Sequence, residues 1–285
     1  MFHPQGLPSH LSALDRTLVM GVLNVTPDSF SDGGLFHDTS IAIEHGRAMA
    51  NHGADIVDIG GESTRPGSDR ISLDEELARV LPVVEALVAD DIVVSIDTMR
   101  AEVAKACVDC GAAIVNDISG GKADPAMLPY VASIEKPFVL MHWRGHSNVM
   151  AQLTEYDDVA RDVAAEISEQ VSQAVHAGIA RDRIVIDPGI GFAKTTQQNW
   201  PIIQELEILD ELELPVLWGV SRKKFLGELL ANDSGELRDM AGREAATTAL
   251  STYFALAGAW AVRVHDVRAS RDAIEVVERL GRHHA

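Results

Sequence analysis

Leu18-Val19-Met20-Gly21-Val22-Leu23-Asn24-Val25-Thr26-Pro27-Asp28-Ser29-Phe30-Ser31-Asp32-Gly33-Gly34 is the stretch whose reading decides the fold. An unbroken apolar run of this kind reads as a strand buried on both faces, the condition of a parallel sheet. It stops at Asn24, and Pro, Asp, Ser and Gly then mark a loop. An apolar strand with a polar group at its carboxyl end recurs seven more times. The further strands fall at residues 54–59, 92–96, 111–115, 138–141, 184–186, 216–220 and 258–262.

Helical spacing fills the intervals, over residues 41–52, 73–88, 101–110, 157–177, 199–212, 225–230, 244–256 and 269–280. Gly-Ala followed by a strand occurs three times, at 53, 111 and 258, which marks repeated helix-to-strand corners. Eight βα units in about 250 residues is the arithmetic of a single (β/α)8 barrel, with an open doubly wound sheet as the fallback. The barrel is expected over residues 17–282. Residues 1–16 carry His, Pro and Gly without periodicity and read as a loosely attached terminus.

The chain has 285 residues and a hydrophobic fraction of 46%, of which aromatics supply 5%, so the core is expected to be aliphatic. A formal charge of -19 argues against a broad nucleic-acid or anionic-membrane surface, because phosphate contacts need clustered cations. Any anionic ligand must then be held locally. No basic segment followed by an apolar stretch opens the chain, and residues 245–264 are interrupted by Thr, Ser and Gly, so neither a signal peptide nor a membrane span is expected. A cytoplasmic location follows as the expectation. Cys107 and Cys110 form a lone C-x-x-C in a helical pattern and read as reduced thiols.

The strand ends carry the chemistry. In order they hold Asn24; Asp58 and Glu62; Asp97; Asn116 and Asp117; His142; Asp187; Ser221 and Lys223; and Arg263 and His265. In a barrel all of these converge on the face where active sites form. A strand-end Asp or Asn serves equally well as a cap for the next helix, and for Asp58 and Asp117 that reading stands beside the functional one; a lone His usually just satisfies a hydrogen bond, and for His142 that reading stands ahead of it. Arg222 and Lys224 read as a solvated basic turn. Arg263 and His265 are two apart, so both point into the mouth and can share an anion, a phosphate or diphosphate. Asp97, Asn116 and Asp187 make an acceptor-rich wall suited to a flat heterocycle with amino and ring N–H groups.

Several motifs resemble the dihydropteroate synthase family over Leu18 to Leu280. They are the opening loop from Asn24 to Gly34, Gly60-Gly61-Glu62-Ser63-Thr64-Arg65-Pro66-Gly67, Ser95-Ile96-Asp97-Thr98, Val115-Asn116-Asp117, Met141-His142, Asp187-Pro188-Gly189-Ile190-Gly191-Phe192-Ala193-Lys194, Ser221-Arg222-Lys223 and Arg263-Val264-His265. The resemblance implies a (β/α)8 barrel. It also implies condensation of 6-hydroxymethyl-7,8-dihydropterin diphosphate with 4-aminobenzoate, giving 7,8-dihydropteroate and diphosphate, in a magnesium-assisted homodimer.

Carried over by position, Asn24 would hold Mg2+ with the diphosphate. Asp97, Asn116, Asp187 and Lys223 would bind the pterin, and Met141 would be a further substrate-binding residue. Arg263 would stack on the pterin and, with His265, hold the diphosphate. Thr64, Arg65, Pro66 and Phe192 would frame the aminobenzoate, with Ser221 near its carboxylate. The loops at 26–34 and 62–67 would close over the mouth. Two rivals share parts of this pattern, a barrel that passes a methyl group from a methylfolate to a corrinoid protein and a pterin-binding paralogue without catalysis. The first has little use for Arg65 or for the Arg263 and His265 pair, and the second does not need Lys223 or Arg263.

Overall fold

The computed structural model describes residues 3–26, 35–63, 70–146 and 149–281. Its eight strands are β1 (Leu18–Asn24), β2 (Ile56–Gly60), β3 (Val94–Asp97), β4 (Ile114–Asp117), β5 (Phe138–Met141), β6 (Ile184–Asp187), β7 (Leu217–Trp218) and β8 (Ala261–Val264). They lie in the order β6-β5-β4-β3-β2-β1-β8-β7, all parallel. A parallel bridge between Ile186 and Val216 joins the two ends and closes the sheet. This is the (β/α)8 barrel expected from the alternation of elements.

The helices are α1 (Ser9–Ser12), α2 (Leu35–Asn51), α3 (Leu73–Ala89), α4 (Ala101–Asp109), α5 (Met127–Ala132), α6 (Val159–His176), α7 (Asn199–Gln204), α8 (Glu207–Asp210), α9 (Lys224–Leu229), α10 (Glu244–Leu256) and α11 (Val267–Leu280). Local chemistry sets several starts. Ser72, Asp158 and Asp266 each accept a backbone N–H three residues on, at the heads of α3, α6 and α11. The sequence differs from the structure at one long helix: residues 199–212 form two short helices, because Glu205 leaves the helical region at φ -112°, ψ 52°. The six-residue α5, with Pro129 inside it, is too short for a periodicity to show.

Side-chain parity along the strands divides the apolar residues in two. Val19, Leu23, Val57, Ile59, Ile96, Val115, Phe138, Leu140 and Ile186 pack in the larger cluster with the helices. Leu18, Met20, Ile56, Ile114, Val139, Val185, Leu217 and Ala261 form a second cluster that fills the barrel. Successive strand residues point to opposite faces, so the residues two further on from this inner layer share its direction. Those are Val22, Asp58, Asn116, Met141, Asp187, Gly219 and Arg263. Packed aliphatic residues below and polar groups above thus make one continuous barrel interior.

From His3 to Leu14 the described residues pack against the barrel, where the sequence reading expects a loosely attached terminus. Leu7 and Leu11 are buried against the inner cluster, Gln5 N donates to Asp182 O at 2.7 Å, and His3 Nε2 lies 2.7 Å from Leu14 O. The open amino-terminal end of a barrel exposes its lowest side-chain layer, and Leu11 of α1 with Leu7 just before it covers that layer, in too short a segment for periodicity to show. Gly6 is required there: at φ 85° an added Cβ would meet Glu135 O at 2.2 Å. Next to this plug, Asp55 accepts two bonds from Arg16, each 2.7 Å, and one from Val19 N at 2.8 Å. Cys107 and Cys110 are free thiols, and burial pushes the Cys107 thiol up. Among the described residues no helix is long and apolar enough to cross a membrane.

Candidate active site

At the carboxyl ends of the strands, register places Asn24 beside Gly60, Gly60 beside Asp97, and Asp97 beside Asn116. One rim of the mouth is therefore a row drawn from β1 to β4. Arg263 crosses to it from β8. Its Nε donates to Asp58 Oδ2 at 2.6 Å and its Nη2 to Asp97 Oδ2 at 2.7 Å, while Asn116 Nδ2 donates to the same Asp58 oxygen at 3.0 Å. Asp58 is fully buried, and its other carboxylate oxygen has no hydrogen-bond partner.

One guanidinium thus serves two buried carboxylates. Burial pushes Asp97 up, against the pull of Arg263 and with the repulsion of Asp58 added. Asp187, also buried, is raised by burial against the attraction of Lys223 and a 2.7 Å bond from Gly189 N. The wall holds more acceptor capacity than the protein satisfies, which is what a ligand edge with several N–H donors requires.

Facing Asp187, Lys223 donates from Nζ to Ile190 O and sits 4.8 Å above the Phe192 ring. Burial lowers Lys223 to about 8, with Asp187 opposing and Arg263 reinforcing the shift. Between these charges lies Gly219, where a Cβ would come to rest 3.8 Å from Asp187 Oδ2, 3.9 Å from Lys223 Nζ and 4.0 Å from Arg263 Cβ. The missing side chain leaves a cradle bounded by an acid and two cations. His265 stands beside it, with Nδ1 2.9 Å from Ser221 Oγ and its backbone N donating to the same hydroxyl at 3.2 Å. Met141, 2% exposed, completes the floor from β5.

Asn24, Asp97, Asn116, Met141, Asp187, Phe192, Ser221, Lys223, Arg263 and His265 therefore surround one mouth. Thr64, Arg65 and Pro66 lie outside the described residues, as do residues 27–34 of the first loop. Asp58 proves to belong to the site, where a cap was the equal alternative. Asp117 does not: it accepts from Ser119 N, Ser119 Oγ and Gly121 N and organises the turn after β4, with burial raising it to about 6 against those bonds. Glu62 is held by Arg100 at 2.8 Å and Arg70 at 3.2 Å. Arg222 pairs with Glu244, and the exposed Lys224 pairs with Glu228 at 3.0 Å.

His142 ends its strand as the sequence reading has it, but takes the reading of a histidine that only satisfies a hydrogen bond: its parity is that of Phe138 and Leu140, so it turns outward to α6, where Nε2 lies 2.9 Å from Glu166 Oε2. The residue that sequence reasoning missed is Lys194, whose ammonium reaches His142 Nδ1 at 3.0 Å. Its signal was a lone Lys closing an otherwise Gly-rich, apolar loop. His142 is fully buried, and burial together with Lys194 holds it down at about 4 against the pull of Glu166.

A stability consequence follows. Unfolded His142 takes up a proton near pH 6.5 and folded His142 only near 4, so between those values the unfolded state binds more protons and stability falls as pH falls. The loss is expected to reach about 3 kcal/mol by pH 4. Urea unfolding at pH 7 and pH 4.5 checks this, and His142→Asn should flatten the dependence in that window.

A cavity of about 910 Å³ opens at the opposite end of β7 and β8, bordered by Leu214, Val216, Trp260 and Ile274. None of the strand-end row reaches it. The converging polar groups define an α/β-barrel enzyme whose site takes a ligand with a donor edge and a negative charge. Residues 20–265 match the model of a family described as pterin binding enzyme, and the chain belongs to that family. It is 54% identical over 260 residues to dihydropteroate synthase of Mycobacterium leprae, covering 91% of this chain and 92% of that one. Among solved structures, Xanthomonas albilineans dihydropteroate synthase with 4-aminobenzoic acid superposes with a TM-score of 0.85 at 43% identity, covering 93% of both chains. The same enzyme in complex with 7,8-dihydropteroate gives 0.82 at 41% identity, with 93% of this chain and 94% of that one covered.

Proposed function

We infer that this chain condenses 6-hydroxymethyl-7,8-dihydropterin diphosphate with 4-aminobenzoate, giving 7,8-dihydropteroate and diphosphate. The observation that carries the reading is the cradle over Gly219, with the Asp187 carboxylate on one side and Lys223 and Arg263 on the other, beside a wall in which Asp58 Oδ1 is buried without a partner. The amino and ring N–H edge of the pterin meets Asp97, Asn116 and Asp187. Lys223 lies over the ring, and Arg263 with His265 takes the diphosphate. Phe192, with Thr64, Arg65 and Pro66, frames the aminobenzoate, and Ser221 stands near its carboxylate.

The arylamine nitrogen attacks the pterin methylene carbon, forming C–N as C–O breaks. Diphosphate leaves with the bonding pair, and the surplus ammonium proton passes to solvent. An arylamine is neutral at pH 7, so no strong general base is needed. The protein's task is to hold two substrates in line and to meet charge where it develops. Arg263 and His265 receive the departing anion, and the carboxylates of Asp97 and Asp187 favour positive charge on the methylene side. Incubation with both substrates, followed by chromatography for dihydropteroate, tests the reading. Product that requires 4-aminobenzoate supports it, and its absence from folded protein overturns it.

Asn24 fits Mg2+ of one kind. A single amide oxygen at a strand end suits an ion that draws most of its shell from water and a substrate's diphosphate. When bound, the ion neutralises charge on the leaving group. Chelator is expected to abolish turnover, and Asn24→Ala to raise the half-saturating Mg2+ concentration about tenfold. Full activity in excess chelator would refute this. The reading includes a cytoplasmic homodimer, supported by apolar side chains exposed on and near α10: Met240 (51%), Tyr253 (42%) and Leu256 (50%).

A further inference from the structure

Lys194 is buried, and its three ammonium donors are all used. Nζ donates to Gly189 O at 3.0 Å, to Phe192 O at 3.1 Å and to His142 Nδ1 at 3.0 Å. An ammonium can only donate, so Nδ1 of His142 is the acceptor and its Nε2 carries the hydrogen that goes to Glu166. Glu166 is held in turn by Arg144, whose Nε donates to Oε2 at 3.0 Å, and Arg144 lies 3.7 Å over the Tyr156 ring. The Tyr156 hydroxyl donates to Ala193 O at 3.0 Å. Two arms therefore run from Glu166 on α6 to one loop, residues 189–193, the first through His142 and Lys194 to the carbonyls of Gly189 and Phe192 and the second through Arg144 and Tyr156 to that of Ala193.

That loop needs holding. Gly189, Ala193 and Gly191 all have positive φ, and for Ala193, at 47°, this is a conformation that a side chain disfavours. Three of its own amides are tied, Gly189 N to Asp187 Oδ1 at 2.7 Å, Gly191 N to Asn199 Oδ1 at 2.7 Å and Phe192 N to Gly189 O at 3.0 Å, and the Lys194 ammonium is what holds the carbonyls of Gly189 and Phe192 from behind. The same loop presents the Phe192 ring and the Ile190 carbonyl to Lys223.

We propose that Lys194 and His142 are positioning residues for the transfer reaction: through Gly189 O and Phe192 O they hold the loop in the shape that places Phe192 at the aminobenzoate pocket. The proposal rests on the reading of the site given above. Neither residue faces the mouth, so neither is expected to touch substrate. Replacing the ammonium by an apolar chain of similar length leaves two carbonyls and the imidazole without their donor, and the strained loop loses the anchor nearest Phe192. The charged groups around Lys194 are Asp187 from β6, Lys223 from the turn after β7, Arg144 from the loop after β5 and Glu166 from α6.

Three variants test this: Lys194→Met, His142→Leu and His142→Asn. Asparagine offers an amide oxygen near the position of Nδ1 and can still accept from Lys194, whereas leucine cannot. Hydrogen exchange read by mass spectrometry is expected to quicken about tenfold in the peptide covering 188–195 in Lys194→Met and His142→Leu, with β5 and β6 unchanged. In those two variants KM for 4-aminobenzoate should rise about tenfold, with KM for the pterin diphosphate and kcat within about threefold. His142→Asn should recover most of both effects. If Lys194→Met does not fold, the leucine and asparagine pair decides alone. Unchanged exchange in 188–195, or equal rises in both KM values, would overturn the proposal. A folded wild-type chain that makes no dihydropteroate would instead overturn the reading of the reaction, and the exchange comparison would still decide whether Lys194 holds the loop.

Discussion

Arg263→Ala is expected to lose about 100-fold or more in kcat/KM and, at neutral pH, about 3–5 kcal/mol of stability. Both losses have one origin. The guanidinium is the partner of two buried carboxylates, with bonds of 2.6 Å to Asp58 and 2.7 Å to Asp97. Removing it takes away the cation that meets the diphosphate and leaves two acids facing each other in a site of low polarity. In the variant Asp97, which burial already raises and which loses the opposing pull of Arg263, holds its proton in the folded state at pH values where the unfolded chain has released it. The penalty is then present above about pH 4, the ordinary carboxylate value, and shrinks as pH falls towards it. Denaturant unfolding of wild type and variant across pH 4–7 should show the gap closing on the acid side. Adding Asp97→Asn to Arg263→Ala should restore part of the stability and none of the activity. A folded, fully active Arg263→Ala would remove the residue from the site.

Lys223→Ala is the second large effect, again about 100-fold in kcat/KM, the scale of losing a buried charged contact of about 3 kcal/mol. Here stability should change less, because the carboxylate nearest Lys223, Asp187, keeps its bond from Gly189 N. The pH profile separates the charge of Lys223 from its bulk. Burial sets its ammonium at about 8, so in the wild type kcat/KM is expected to fall as pH rises through that value and the cation is lost. Lys223→Arg keeps its charge throughout this range, and any activity it retains should lack the alkaline limb. An alkaline limb that persists unchanged in Lys223→Arg would assign the titration to another group.

The two lysines near the mouth show how different neighbours divide the same chemistry. Lys223 reaches over the cradle above Gly219, whereas Lys194 is sealed behind the loop with all donors used. Burial lowers both, Lys194 to about 7. A lowered lysine is thus no guide by itself to which one meets substrate, and the direction of the side chain decides.

The strand count, the alternation with helices and the presence of a polar residue at every strand end were legible in the sequence, because these rest on local patterns of a few residues. So was the resemblance that gathered Asp97, Asn116, Asp187, Lys223, Arg263 and His265 into one site. Which of two adjacent polar residues faces the mouth was not legible. A strand buried on both faces reads as one apolar run, without the alternation that would mark its two sides. Asn116 and Asp117 are neighbours, yet closure of the barrel sends the first to Asp58 in the mouth and the second to the turn at Ser119 and Gly121. The same parity carried Asp58 into the site and turned His142 away from it. Contacts across great separations belong to the tertiary structure as well: Asp58 and Arg263 lie 205 positions apart, His142 and Lys194 52 apart. Leu7 and Leu11 became core only once the barrel offered an open end to cover. The sequence alone determined which elements form and which chemical groups arrive at the rim; packing around a closed sheet decided the direction each group faces, since that direction depends on neighbours the chain meets only after folding.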